Sequence, residues 1–133
     1  MKIADASVIY KWYISEQETP EALALLEDFR SGVEQLAVPD LILYELANAL
    51  RYNRKLKPED VESALENFIS LGIIIITPNL TIIKKTAHFA MRHDITIYDA
   101  AYAVLAESLG CDFITADKKL HRKLSSLPFV KSL

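Results

Sequence analysis

Short apolar runs alternate along the chain with longer segments in which apolar residues recur at helical spacing. The runs at 2–4, 36–38, 73–77 and 113–115 are predicted strands, and a helical segment follows each of them. The run at 73–77 is β-branched throughout, which predicts a strand covered on both faces by helices, as a parallel sheet requires. Phe129 and Val130 predict an additional edge strand. This unbroken alternation indicates a single α/β unit with a mainly parallel sheet.

Residues that start and stop helices bound the segments between the predicted strands. Thr19 before Pro20 predicts a capped helix start, and Gly110 predicts a left-handed helix end after the segment 97–109. Further helices are predicted from about residue 40, over 81–93 and after Asp117. Pro58 starts another predicted helix, whose core face carries Val61, Leu65, Phe68 and Ile69.

The composition is that of an ordered protein of one domain, spanning residues 1–133. With 51% hydrophobic and 25% charged residues, the chain can build a single core, and its one cysteine excludes an internal disulfide. No signal peptide is predicted, because Asp5 interrupts the N-terminal apolar stretch, and no apolar run is long enough to span a bilayer. We therefore expect a cytoplasmic protein with no membrane partner.

Four acidic residues recur near the places where predicted strands give way to helices. Asp5 directly follows the first strand, and Asp117 follows the strand at 113–115. Glu45 and Asp99 lie in the first turns of predicted helices. Because ligands of open α/β sheets bind beyond the carboxyl ends of the strands, we expect these carboxylates to face one crevice.

Three of the four acids also have a purely structural interpretation. Thr96 and Asp99 fit the capping-box pattern, in which an acid three residues after the cap accepts the backbone N–H of the cap residue. Taken alone, Asp99 fits this pattern better than it fits a metal ligand. Asp5 and Asp117 can likewise cap the helices that follow them, whereas Glu45 has no such alternative beyond ordinary surface exposure.

Several carboxylates in one crevice repel one another strongly. A pair of unit charges about 4 Å apart costs roughly 4 kcal/mol at an effective dielectric constant of 20. A hard divalent cation such as Mg²⁺ removes this penalty, because it prefers oxygen ligands. The chemistry that such a site supports is hydrolysis of a phosphodiester bond. Ser7 and Thr115, each two residues from an acid, are then predicted to orient the carboxylates.

The net charge of −3 does not suggest a nucleic-acid-binding protein, but the distribution of the charges is more informative than their sum. One basic group contains Arg51, and a second directly follows Asp117. Such runs are more often solvated helix faces than binding sites. Beside an acid cluster they can instead hold the phosphates of a nucleic acid, a role that we assign to Arg51, Lys118, Lys119 and Arg122.

The order and setting of these residues resemble a known family. Asp5-Ala-Ser7, Glu45 with Asn48 one turn later, Asp99-Ala-Ala-Tyr-Ala and Thr115-Ala-Asp117 together resemble the PIN domain in its small, VapC-type toxin form. The resemblance covers essentially the whole chain. It implies a three-layer α/β/α fold with a five-stranded, mainly parallel sheet, and a Mg²⁺- or Mn²⁺-dependent endoribonuclease.

The resemblance also implies roles and partners. The metal-binding and catalytic residues would be Asp5, Glu45, Asp99 and Asp117, with Ser7, Asn48 and Thr115 supporting them. RNA would be the substrate, a second copy of the chain would complete a homodimer, and a cognate antitoxin would inhibit the enzyme. Many relatives carry a further acid just beyond the position of Asp117, where this chain has Lys118, Lys119 and His121, so the number of metal ions stays open.

Other functions remain as alternatives. A housekeeping RNA-processing PIN nuclease would share the same acids, and a catalytically inactive PIN binding module is a third possibility. Phosphoaspartyl enzymes also place Asp after a first strand. The haloacid-dehalogenase type needs a second Asp where this chain has Ser7, and a receiver domain needs an Asp at the end of its central strand, where the run ends in Thr77 and Pro78.

Overall fold

The computed structural model describes residues 1–133, in which five strands alternate with helices. The strands are β1 (Lys2–Ala4), β2 (Leu36–Pro39), β3 (Ile74–Ile76), β4 (Asp112–Thr115) and β5 (Val130–Ser132). The α-helices are α1 (Ala6–Ile9), α2 (Thr19–Arg30), α3 (Ile42–Arg51), α4 (Pro58–Ser70), α5 (Leu80–His93), α6 (Ile97–Leu109) and α7 (Lys118–Lys123). A 3₁₀ helix at Tyr10–Trp12 continues α1.

All strands are parallel, in the order β3-β2-β1-β4-β5, which confirms the predicted α/β fold with a five-stranded sheet. In the central strand, Ile3 pairs with Ala37 of β2 on one side and with Phe113 of β4 on the other. The chain runs outward from β1 through β2 to β3 and then returns to β4 on the opposite side. The direction therefore reverses at β1 and β4, where α/β proteins form a crevice at the carboxyl ends of the strands.

Helix α6 lies against the centre of the sheet, where it packs on β1, β2 and β4. The residues that it buries are Ala100, Tyr102, Ala103, Val104, Leu105 and Ala106. Its alanines are short enough to bring the helix axis close to the strands. Each fully buried large apolar side chain stabilises the fold by about 1.5 to 3 kcal/mol. This packing fixes the N-terminal turn of α6, which carries Asp99, beside the crevice.

The predicted burial of two apolar segments is wrong. Strand β3 pairs with β2 alone, and Ile74 is 46% exposed, so the β-branched run forms an edge strand rather than one covered on both faces. Ile69, expected on the core face of α4, is 54% exposed, because the buried face of that helix carries Ala64 and Phe68. An edge strand and a central strand have the same local pattern, and only the strand order separates them.

The helix ends follow the sequence signals with one exception. Gly110 ends α6 in the left-handed conformation as predicted, with φ of 64°. At α2, however, Glu18 occupies the cap position with φ of 62°, and Thr19 is the first helical residue. The Thr19 hydroxyl accepts the backbone N–H of Glu16 instead, at 2.9 Å. None of the helices combines the length and the apolar character needed to cross a membrane.

Candidate active site

Asp5 is the most buried of the four predicted acids, with 6% of its surface exposed at the end of β1. Its Oδ1 accepts the backbone N–H of Ser7 at 3.0 Å and that of Val8 at 3.3 Å, so it caps α1. The Ser7 hydroxyl also donates to Oδ1, and the Thr115 hydroxyl donates to Oδ2 at 2.5 Å. Four donors thus hold this carboxylate in one orientation.

The same two hydroxyl groups connect β1 to the turn after β4. Ser7 Oγ accepts the backbone N–H of Ala116 at 2.9 Å, and Thr115 Oγ1 accepts that of Asp117 at 3.1 Å. Ser7 and Thr115 therefore contact Asp5 through their donor hydrogens and the backbone leading to Asp117 through their oxygens. This network couples the positions of two acids that are far apart in sequence.

Asp117 and Asp99 lie at the N-termini of α7 and α6. Asp117 is exposed and caps α7, because its Oδ1 accepts the backbone N–H of Leu120 at 3.0 Å. Thr96 caps α6 by accepting the backbone N–H of Asp99 at 3.1 Å. The reciprocal bond of a capping box, from the Thr96 backbone to the Asp99 carboxylate, is not formed. The Thr96 side chain instead lies close enough to the Asp99 carboxyl to lower its pKa, and Asp99 lines the cavity that Asp117 also lines.

Glu45 projects from the first turn of α3, and its Oε1 is buried without a hydrogen-bond partner of ordinary geometry. The hydroxyl of Tyr102 is also buried and unpaired, yet it faces Glu45 closely enough to lower the pKa of that carboxyl. Tyr102 belongs to α6, and its ring stacks on Phe113 with 6.0 Å between centroids. The sequence analysis assigned no role to Tyr102. Its position one helical turn after Asp99 is the signal that could have found it.

Burial and mutual repulsion raise the pKa values of three of these acids. Burial is the main cause for Asp5, whose pKa rises to about 6 although Ser7 and Thr115 lower it, with the charge of Asp99 adding to the rise. Burial, then the charges of Asp5 and Asp99, raise the pKa of Glu45 to about 7. The pKa of Asp99 is raised by burial and by the charge of Asp117. All four carboxylates therefore belong to one electrostatic group.

Three cavities meet around this group. The first, of about 480 Å³, is lined by Asp99 and Asp117, and the second, of about 500 Å³, by Asp117 and Glu45. The third, of about 980 Å³, is lined by Glu45 and Asp99. Each of the three acids thus lies on the boundary between two cavities, and Asn48 lines the second and third beside Glu45. These three carboxylates lie where the cavities adjoin, whereas the buried Asp5 lines none of them.

The structure brings only part of the predicted basic set to this centre. Lys119 lines the first cavity, and Arg51 lines the third. Lys118 and Arg122 are exposed and line none of the three cavities around the acids. Lys123, which the sequence analysis left out of the site, lines the first cavity and lowers the pKa of Asp99. Its spacing of four residues from Lys119 is the signal that was overlooked.

The side chains as they stand do not form a complete metal cage. No group of three or more His, Cys, Asp and Glu side chains has the spacing to hold one ion. Mg²⁺ does not need such a cage, because it commonly binds one or two carboxylates and keeps several waters. The buried, unpaired Oε1 of Glu45 is an available ligand of the type that Mg²⁺ prefers.

Comparisons with known proteins agree on one family. The sequence model of the PIN domain matches residues 2–124. Ribonuclease VapC3 of Pyrobaculum aerophilum is 30% identical over 129 residues, which cover 94% of this chain and 95% of that protein. Exonuclease VapC9 of the same organism is 32% identical over 103 residues, or 75% of each chain. A toxin-antitoxin complex from Klebsiella pneumoniae contains a chain of the same fold, with a TM-score of 0.72, 14% identity and coverage of 98% of this chain and 96% of that one.

The raised pKa of Glu45 predicts how stability depends on pH. The folded state binds this proton more tightly than the unfolded state, so the stabilisation is complete below pH 4.5 and is lost as the pH rises through about 7. We expect Glu45→Gln to exceed the wild type by about 1 to 2 kcal/mol at pH 8 without divalent cations, allowing for partial exposure, and to match it near pH 4.5. Chemical unfolding in chelator at both pH values measures this difference.

Glu107→Gln, an equal charge change on the exposed face of α6, is the control for this experiment and should not show the pH-dependent gain. A Glu45→Gln protein that is destabilised equally at both pH values would contradict the electrostatic interpretation.

Replacing Tyr102 by Phe tests the contact between its hydroxyl and Glu45. Because that hydroxyl lowers the pKa of Glu45, its removal should raise this pKa above the wild-type value of about 7. The free energy of unfolding should change by less than about 1 kcal/mol, since the lost hydroxyl has no ordinary partner. A carbon-13 NMR titration of the Glu45 carboxyl measures the shift. Tyr13→Phe, whose hydroxyl donates to Asn67, is the control, and an unchanged Glu45 titration in Tyr102→Phe would refute the contact.

Proposed function

This chain belongs to the PIN domain family, and from that premise we propose that it is an endoribonuclease that hydrolyses RNA phosphodiester bonds, as the toxin of a toxin-antitoxin pair. The observation that carries the proposal is the group of carboxylates at the switch point of the sheet, where burial and mutual repulsion raise three pKa values. Carboxyl groups whose pKa values are shifted by burial and by neighbouring charges are characteristic of functional sites. The ribonuclease name of a relative that is 30% identical across nearly the whole chain supports the same activity.

The cofactor that suits this group is Mg²⁺ or Mn²⁺. A cation beside Asp5, Glu45, Asp99 and Asp117 would relieve the repulsion among these carboxylates, which contributes to the raised pKa values of Asp5, Glu45 and Asp99. The unpaired Oε1 of Glu45 offers the cation an oxygen. Because no three side chains are spaced for one ion, one or two would bind directly and the others through water. When bound, the metal supplies activation of water and neutralises charge that develops on the phosphate.

The chain's own residues prepare the site for a phosphate group. Ser7 and Thr115 hold the Asp5 carboxylate in a fixed orientation, so that it does not have to reorganise during the reaction. Lys119 and Lys123 line the cavity that contains Asp99 and Asp117. Their positive charge attracts the RNA backbone toward acids that would otherwise repel it. Lys119 thereby takes the phosphate-binding role that the sequence suggested for the whole basic run.

An exonuclease is the second candidate, because a relative that is 32% identical over 75% of the chain carries that name. The two activities place different demands on the site. An exonuclease must recognise the end of a strand, whereas an endonuclease must let a continuous strand cross. Glu45, Asp99 and Asp117 each line two of the three neighbouring open cavities rather than the closed end of one, which favours internal cleavage.

Two protein partners complete the proposal. An antitoxin is expected because the chain shares its fold with part of a toxin-antitoxin complex. A homodimer is supported by apolar residues exposed along β3, the start of α5 and the two ends of α6, namely Ile74, Leu80, Ile97 and Leu109. An apolar cavity of about 400 Å³ lies on this same face. We place the protein in the cytoplasm, because RNA is the proposed substrate and the single cysteine, Cys111, forms no disulfide.

Cleavage of a circular single-stranded RNA tests the activity directly. We expect the protein to linearise the circle in Mg²⁺ or Mn²⁺ and to leave it intact in excess chelator, because the acids need a cation to accept a phosphate. Glu107→Gln should retain full activity, and Asp5→Asn should lose it. Degradation of linear but not circular RNA would identify an exonuclease, and undiminished cleavage in chelator would refute the metal requirement.

Charge reversal at Lys119 and at Lys118 separates a phosphate contact from a solvated face. Both residues are exposed on α7, but only Lys119 lines the cavity beside Asp99 and Asp117. We expect Lys119→Glu to weaken RNA binding several-fold and to reduce the slope of log affinity against log salt by about 1, while Lys118→Glu has a smaller effect. Fluorescence anisotropy across a salt series measures both quantities. Equal effects of the two changes would show that the lysines act only through the overall charge of α7 and that Lys119 makes no specific phosphate contact.

A further inference from the structure

Two tyrosines stand exposed beside the acids, and the mechanism above does not use them. Tyr44 is 83% exposed and Tyr98 is 64% exposed. Each directly precedes an acid of the site, Glu45 on α3 and Asp99 on α6. Both rings line the cavity of about 980 Å³ that those two acids also line. Two helices on different sides of the crevice thus each place an aromatic ring next to a carboxylate.

Neither tyrosine has a structural task that would explain its position. Their hydroxyl groups form no hydrogen bond with the rest of the chain, in contrast to those of Tyr10 and Tyr13. Neither ring belongs to the apolar core or packs against it. Aromatic rings left this exposed commonly serve recognition, because they offer a large, rigid apolar face at low entropic cost.

The rest of the cavity matches a nucleotide. Arg51 lines the same cavity and supplies a positive charge for a phosphate. Asn48 lines it as well, and its side-chain amide is both a donor and an acceptor. An aromatic face, a cation and an amide are the groups with which proteins bind single-stranded nucleic acids.

We propose that Tyr44 and Tyr98 form a stacking site for unpaired bases of the RNA strand, beside the phosphate that is cleaved. The inference rests on the proposed ribonuclease function and adds the residues that would hold an unpaired base beside the cleaved phosphate. A base inside a duplex has both faces covered by adjacent pairs, so it cannot stack on a protein ring without being extruded. The site therefore discriminates against continuous double helix.

Tyr98, unlike Tyr44, could be exposed because it contacts a second copy of the chain instead of an RNA base. Tyr98 also borders the apolar cavity of about 400 Å³ that contains Ile97 and Leu109, the face that supports a dimer. Tyr44 does not line that cavity. A loss caused by a weakened dimer should therefore follow Tyr98 alone, whereas a stacking site predicts losses at both positions.

The test is a coupling experiment between each ring and single bases of the RNA. Affinities of wild type, Tyr44→Ala and Tyr98→Ala are measured with Ca²⁺ in place of Mg²⁺, so that a cation is available to the acids. The ligands are an unstructured RNA of about 12 nucleotides and versions of it with one base removed at successive positions. We expect each alanine variant to bind the intact RNA about 5- to 100-fold more weakly. Removing the base that stacks should lower the affinity of the wild type by a similar factor. The same removal should lower the affinity of the variant that lacks the matching ring only slightly, because the contact is already lost and the two effects are not additive.

Matched variants and a second ligand complete the design. Tyr44→Phe and Tyr98→Phe keep the ring and should retain affinity within about 3-fold, because stacking does not need the hydroxyl. Met91→Ala, an exposed apolar truncation on α5 away from the cavity, should bind as wild type does. Duplex RNA should bind all variants equally. Sedimentation of the same samples records the oligomeric state.

The outcomes separate this inference from the function on which it rests. A wild-type protein that binds no RNA at all would refute both. RNA binding and cleavage that persist while no base couples to either ring would overturn the stacking site alone. A Tyr98→Ala loss that accompanies dissociation of a dimer, with Tyr44→Ala unchanged, would also overturn it and would assign Tyr98 to the interface between copies.

Discussion

The hydrogen bonds that hold the Asp5 carboxylate between β1 and β4 are the constraint on which the site depends. The neighbouring strands β1 and β4, from which the chain connects to opposite sides of the sheet, carry Asp5 and Thr115 at their carboxyl ends, and Ser7 completes the contact from α1. Because both hydroxyls also accept backbone N–H groups of the turn after β4, the position of Asp117 follows from the position of Asp5.

The site has an energetic cost that the rest of the fold must offset. Burial raises the pKa of Asp5 to about 6 and that of Glu45 to about 7, so the ionised form of each carboxyl is less stable in the folded protein than in water. The compensation comes from the packing of α6 against the centre of the sheet, which buries an almost continuous apolar face. The same helix carries Asp99 and the Tyr102 hydroxyl, which faces Glu45. Helix α6 therefore contributes both stabilising core packing and part of the unfavourable group of acids.

The surface divides into regions with different chemistry. The exposed isoleucines of β3 and the apolar ends of α6 belong to a mainly apolar surface, with Asp40 as the one charged residue lining its cavity. The cavities around the acids contain lysine, arginine and tyrosine side chains. Tyr98 lies at the boundary, because it lines cavities of both kinds.

The sequence alone determined the element types, most of their bounds and the four acids near the strand-to-helix junctions, because hydrophobic period, caps and strand ends are local properties of the chain. The resemblance to the PIN domain rested on the same local motifs, and the family is confirmed. Tertiary structure decided which strand lies at the edge, since the order of parallel strands depends on crossover connections that leave no local pattern. It also decided that Lys119 lines the cavity whereas Lys118 does not, and that the Tyr102 hydroxyl faces Glu45. These facts depend on how α7, α6 and α3 rotate as they pack, and that rotation is set by contacts between residues far apart in the chain.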